Sequence, residues 1–168
     1  MSAELRPVRS VVRLEVLPVL HNVNSPQRVV EIARAAYGLG FPVFVVTKPA
    51  GAAAQVGVPE AQKVALREGK SLLVLPDLED AAEVLKADSL VLVLQRRFSD
   101  KPLTQRFKEL ASGNVSRVLL VFGGTEPGLS AREAALGEQV YVDGIEQDVG
   151  PTALAVIAMY LVRNLLTR

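Results

Sequence analysis

Six short runs rich in valine and leucine punctuate the chain, at residues 13–20, 42–47, 71–75, 89–94, 117–122 and 139–142. Most are apolar at consecutive rather than alternate positions, as a strand covered on both faces requires. Longer stretches of mixed polar and apolar residues separate them, the pattern of parallel strands alternating with amphipathic helices. The expected fold is therefore α/β, a mostly parallel sheet of about six strands with helices on both faces, built as one domain over residues 1–168.

The intervening segments carry helix start and stop signals. Ser25 and Pro26 precede residues 27–39, and Gly40 follows, giving an N-cap, an N1 proline and a C-terminal glycine in order. Pro59 opens a second helix ending near Gly69, and Asp77 caps a third through Leu85. A fourth occupies residues 102–111, and Ser130 with Glu133 has capping-box spacing. Pro151 opens the last and longest helix, with Leu154, Ile157, Ala158, Leu161 and Leu165 at helical spacing and Val156, Met159 and Tyr160 widening its apolar surface. More than one partner surface is needed to cover it, which predicts a dimer. Residues 48–58 read as a mobile loop.

Composition narrows the chemistry. Half of the residues are apolar (49%), yet the longest unbroken apolar run, 153–162, falls far short of the ~20 residues that cross a bilayer. Arg6, Arg9 and Arg13 interrupt the first residues, with Glu4 and Glu15 among them, so no secretory leader is expected and the location reads as cytoplasmic. The absence of cysteine excludes disulfides, thiolate metal sites and cysteine nucleophiles, and the single histidine, His21, excludes a histidine cluster within one chain. A net charge of +1 means that any surface for nucleic acid must be local. Residues Arg96, Arg97, Phe98, Lys101, Arg106 and Lys108 form the best such patch.

Ligands of open parallel sheets sit beyond the carboxyl ends of the strands. Three turns there stand out: residues 21–26, polar and able to turn; residues 123–130, with paired glycines suited to close backbone approach; and residues 143–152, leading into the last helix. His21 reads as a strand-end hydrogen-bonding residue rather than a catalyst. Asp143 and Glu146 read as a solvated loop, since two carboxylates without histidine support make a poor metal site.

These residues resemble the SPOUT methyltransferases, and within them the SpoU (TrmH-like) RNA methylases. Residues 25–34 (SPQRVVEIAR) running on to Gly40-Phe41 resemble the first motif, with Arg34 at its arginine. Val121-Phe122-Gly123-Gly124-Thr125-Glu126-Pro127-Gly128-Leu129-Ser130 resembles the second, and residues 140–160 the layout of the third. The resemblance implies a C-terminal trefoil knot, a homodimer, and methyl transfer from S-adenosylmethionine to a ribose 2'-hydroxyl of rRNA or tRNA. It assigns Arg34 to catalysis. The cofactor falls to Leu94, Gly123, Gly124, Thr125, Gly128, Val142, Gly144, Val149 and Thr152, and the RNA to Arg28, Arg96, Arg97 and Lys101; no metal is implied. On this reading Gly124→Val abolishes cofactor binding and spares the fold.

The sequence also departs from the family pattern. Arg28 stands where asparagine is usual, Val30 where glycine is, Thr125 in the glutamate slot, and residues 149–152 lack the serine and asparagine of the third motif. Those departures favour an alternative, a non-catalytic RNA-binding or regulatory homodimer that retains the fold. A flavodoxin-like phosphate binder is disfavoured, because residues 21–26 contain no glycine.

Overall fold

The computed structural model describes residues 14–167; Arg6, Arg9 and Arg13, the last of which was expected to open the first strand, lie outside them. Six strands form one parallel sheet: β1 (Glu15–Val23), β2 (Val43–Pro49), β3 (Ser71–Leu75), β4 (Ser89–Leu94), β5 (Arg117–Gly123) and β6 (Glu138–Tyr141). Their order across the sheet is β3-β2-β1-β5-β4-β6. The helices are α1 (Pro26–Gly38), α2 (Val58–Glu68), α3 (Leu78–Val84), α4 (Leu103–Ser112), α5 (Ala131–Ala134) and α6 (Pro151–Leu166). The α/β class and the six strands expected from the apolar runs are observed.

The two faces of the sheet are covered unequally. Val16, Leu20, Phe44, Val46, Val118, Leu120 and Phe122 point to one face, where they pack against α1, α2, α4 and α6. Leu17, Val19, Val45, Leu119 and Val121 alternate to the other, which is closed mainly by Leu78 and Ala81 of the short α3. This thinner face also receives His21 and Thr47, which pair in register across β1 and β2. A polar site can therefore form at its carboxyl edge without breaking the larger core.

Local chemistry explains most element ends. The Ser25 side chain accepts from the Arg28 N–H at the start of α1, and Gly69, at φ 65°, closes α2 in the left-handed conformation. The capping box of α5 is present in both directions between Ser130 and Glu133.

Three expectations need correction. The polar turn placed at residues 21–26 begins later, because β1 runs through His21 and Asn22 to Val23, pairing His21 with Thr47 on one side and Gly123 on the other. Residues 48–58 are not a mobile loop: β2 extends to Pro49 and a π-type helical turn, Ala53–Gly57, leads into α2. Ala53 is fully buried there, and Gly57 lies so close to Pro26 that a Cβ would meet its Cα at 2.8 Å. In α6 the buried line is Ala155, Ala158, Met159 and Val162. Leu154, Ile157, Leu161 and Leu165, expected at its centre, are only half-buried.

Candidate functional site

Two groups of features meet at the carboxyl edge of the sheet. The first is a chain of crevices among the segments that follow β4, β5 and β6. A cavity of about 300 Å³ lies between Leu94–Arg97 and residues 145–149, closed by Leu154. It adjoins a narrow cleft against Gly123, Thr125, Glu126, Pro127 and Gly128, sharing Gln95, Asp148 and Leu154 with it. A third, more open hollow holds Arg28, Glu126, Val149, Thr152 and the start of α6.

Of the residues expected to hold a cofactor, Leu94, Gly123, Thr125, Gly128, Val149 and Thr152 line these crevices. Gly124, Val142 and Gly144 are not among their walls. Val142 is buried. The glycines of the 123–130 loop serve the protein itself: a Cβ on Gly123 would lie 2.8 Å from Gly128 and Leu129 backbone, and one on Gly124 2.7 Å from the Asn22 carbonyl oxygen. Arg28 Nη1 donates to the Gly124 carbonyl at 2.6 Å, tying α1 to this loop. Arg34 is exposed on α1 and lines none of the three crevices.

The basic patch is largely neutralised within the chain. Lys101 pairs with Glu109 at 2.9 Å, Arg106 with Glu138 and Glu109, and Arg96 with Asp100 at 3.5 Å. Arg96 also stands over the Tyr141 ring at 4.3 Å, and Arg97 over Phe98 at 4.6 Å. Asp143, read as a solvated loop residue, accepts from the Thr104 N–H and hydroxyl and so holds the first turn of α4 to the 142–150 segment.

The second feature is a charged pocket on the thin face, lined by His21, Lys48, Asp77, Glu79, Arg132 and Glu133 with a volume of about 140 Å³. His21 is buried. Its Nδ1 lies 2.8 Å from Thr47 Oγ1 and its Nε2 2.5 Å from Glu133 Oε2, with Asp77 Oδ1 at 4.0 Å. Burial works to raise the Glu133 pKa, but the Ser130 N–H and side chain and the His21 ring outweigh it and hold the carboxyl below its usual range. Glu133 is thus a carboxylate, accepting from Nε2–H, while Nδ1 faces the Thr47 hydroxyl. Asp77, the N-cap of α3, accepts from the Leu78 N–H and keeps its side chain 57% exposed. Lys48 enters the left-handed region at φ 49° within β2, which stays paired to β1 through Pro49. The strand-end role read for His21 is observed. Its partnership with Glu133, 112 positions away, has no sequence signal beyond the capping box that fixes Glu133.

Residues 51–161 match the family described as "RecB-family nuclease (DUF2122)". The "Putative type II restriction enzyme ApeKORF2002P" of Aeropyrum pernix is 48% identical over 147 residues, covering 88% of this chain and 92% of that one. The "Putative type II restriction enzyme MjaORF1200P" of Methanocaldococcus jannaschii is 34% identical, covering 84% and 90%. Among solved structures, a "probable methylase family protein" from Haemophilus influenzae superposes with a TM-score of 0.70 at 13% identity, covering 92% of this chain and 67% of that one. The SpoU methyltransferase AviRb from Streptomyces viridochromogenes, in complex with AdoMet, gives 0.65 at 16%, covering 94% and 62%. The SPOUT likeness read from the motifs is correct for the fold, and at these identities it shows the fold alone. The expected RNA ribose methyltransferase, and its rival as a non-catalytic RNA-binding or regulatory protein, are overturned by the family match and by the two curated relatives.

Proposed function

This chain belongs to the family described as RecB-family nuclease (DUF2122), and from that premise we propose that it hydrolyses phosphodiester bonds of nucleic acid, with the His21 pocket as its reaction site. The observation that carries the reading is this membership, joined by two relatives named as restriction enzymes. The geometry supports it: one pocket at the carboxyl edge of the sheet is lined by the exposed carboxylates of Asp77 and Glu79 together with Lys48 and Arg132.

Among the described residues no three histidine, aspartate or glutamate side chains form a group that could hold a metal ion. His21 and Glu133 are committed to each other and Asp77 caps α3, so the side chains present do not fit a divalent-cation centre. Lys48 and Arg132 offset charge on the non-bridging phosphate oxygens, Arg132 through a planar fork that can engage two of them. Asp77 takes a proton from the attacking water as the water oxygen bonds to phosphorus; the ester P–O bond breaks, the leaving oxygen takes a proton from solvent water, and the exposed Asp77 returns its own proton to solvent. His21 and Glu133 do not touch the substrate. They position α5, and with it Arg132, against β1 and β2.

The test is incubation of the purified protein with plasmid DNA, single-stranded DNA and RNA, with and without magnesium or manganese. Cleavage that falls at least a hundred-fold in Asp77→Asn and Lys48→Met, the order a general base contributes, is the expected result. No cleavage of any substrate overturns the function; cleavage unchanged in both variants overturns the site.

S-adenosylmethionine stays a proposed ligand of the 300 Å³ crevice, supported by its place beyond β4 and its size. Calorimetric heat at micromolar ligand is expected; none at millimolar ligand removes it. The C-terminal trefoil knot and a homodimer packed through α6 belong to the same set of proposals. They are supported by the return of α6 from edge strand β6 to pack on α1, α4 and β5, and by Tyr160, 53% exposed on its outer side. Light scattering giving the mass of one chain would exclude the dimer.

A further inference from the structure

We propose that the pocket beside Phe98 receives an unpaired nucleobase of the nucleic acid whose phosphate enters the His21 pocket; this inference rests on the nuclease reading. After β4 a short 3₁₀ turn, Arg96–Phe98, carries the Phe98 ring out of the core. It is 53% exposed, although apolar rings are normally covered. The Arg97 guanidinium stands over the ring at 4.6 Å. Among the described residues Arg97 and Lys108 make no ion pair, whereas Arg96, Lys101 and Arg106 of the same patch do.

The same ring forms one wall of a cavity of about 370 Å³, completed by apolar Leu94, Pro127 and Leu129 with Ser130 and Gln139. An aromatic ring beside an apolar slot is a surface on which bases stack regardless of sequence, because every base has a π-face; Arg97 itself lines the neighbouring 300 Å³ crevice. Water gains little from such walls, and an unpaired base already exposes the surface they cover.

Position links this slot to the reaction site. Ser130 lines both the Phe98 pocket and the charged pocket that holds Lys48, Asp77 and Arg132. The two cavities therefore flank the start of α5. One nucleotide can place its base on Phe98 and its phosphate between the cations. A base inside a regular duplex cannot enter, so the arrangement selects single-stranded, mismatched or extruded nucleotides. Gln139 Nε2 is already committed to the Ala134 carbonyl at 3.0 Å, so the wall keeps its shape before the base arrives.

The experiment uses the full chain and a phosphorothioate single-stranded oligonucleotide that resists cleavage, beside a matched oligonucleotide with an abasic site, each titrated by fluorescence anisotropy. Phe98→Leu keeps an apolar side chain and removes the π-face; since Phe98 is half exposed, the fold is retained, which circular dichroism checks. Binding of the intact strand is expected to weaken about ten-fold in Phe98→Leu, within the range that one stacked base contributes, while binding of the abasic strand does not change. A 2-aminopurine at that nucleotide is expected to be quenched by the wild type and not by the variant. Equal affinity of wild type and variant, or an equal loss on both strands, overturns the base pocket while cleavage by the wild type leaves the nuclease reading standing. Absence of both binding and cleavage overturns the two together.

Discussion

His21 commits both ring nitrogens, one to Thr47 and one to Glu133, so the pocket behind Asp77 is assembled from partners on β2 and α5. Removing the ring leaves two polar groups without a partner and opens a hole in the thin face. His21→Ala is expected to cost about 3 kcal/mol, from lost hydrogen bonds and the cavity together, measured by urea unfolding. The pH dependence follows from Glu133, whose folded pKa is depressed below its usual 4.5. A carboxylate of that kind contributes stability that is fully present above its unfolded value and is lost as pH falls through the folded one. The wild type should therefore lose stability as pH drops below about 4.5, and Glu133→Gln should lose less across that interval. Gly124 makes a different point. A Cβ there would sit 2.7 Å from the Asn22 carbonyl oxygen and 2.7 Å from Val23 Cβ, so Gly124→Val damages the fold, contrary to the expectation that it would act on a ligand alone. Even Gly124→Ala is expected to cost about 2 kcal/mol, read from the same denaturation curves.

At the scale of elements, α5 has only four residues, too few to be stable by propensity, and it stands because its capping box also supplies the partner of His21. Ser130→Ala removes the cap to the Glu133 N–H and loosens Glu133 at once; a loss of about 1 to 2 kcal/mol is expected. A double-mutant cycle with His21→Ala should show coupling, since both changes act on one carboxylate. Strands and caps were legible in the sequence because their signals are local: consecutive apolar residues for β1, β4 and β5, serine before proline for α1, Ser130 three before Glu133. The face that α6 buries was not legible in the same way. Its alanines, Ala155 and Ala158, lie inward because α1 and α4 approach closely, and the larger leucines are pushed to the flanks. That choice depends on the neighbours' geometry and leaves no mark on the helix's own period. Likewise Thr47, Asp77 and Glu133 come to His21 from three separate segments, and only the order of the strands in the sheet brings them together.

At the scale of the whole molecule, the likeness to SPOUT proteins was readable because glycine turns and strand layout belong to the fold, whereas the activity belongs to side chains placed on it. Arg28, Val30 and Thr125 occupy motif positions with the wrong chemistry for that family, and the acidic and basic groups of the thin-face pocket carry no motif at all. The charge distribution supplies the last prediction. A net charge of +1 gives no long-range pull on a polyanion. The ion pairs Lys63–Glu60, Arg96–Asp100, Lys101–Glu109, Arg106–Glu138 and Arg117–Glu15 hold five of the described cations against carboxylates. In the proposed binding mode Lys48 and Arg132 at the charged pocket and Arg97 beside Phe98 are the cations that meet phosphates, about three contacts in all. Counterion release at each makes the logarithm of the binding constant fall with the logarithm of salt concentration by about 0.7 to 0.9 per phosphate, so a slope of roughly −2 to −3 is expected. Titration of a labelled oligonucleotide between about 50 and 200 mM salt measures it. Lys48→Met should make the slope shallower by about one, while Lys101→Met, already paired to Glu109, should leave it unchanged. A slope steeper than about −5 would mean that a broad basic surface, rather than these two pockets, holds the nucleic acid.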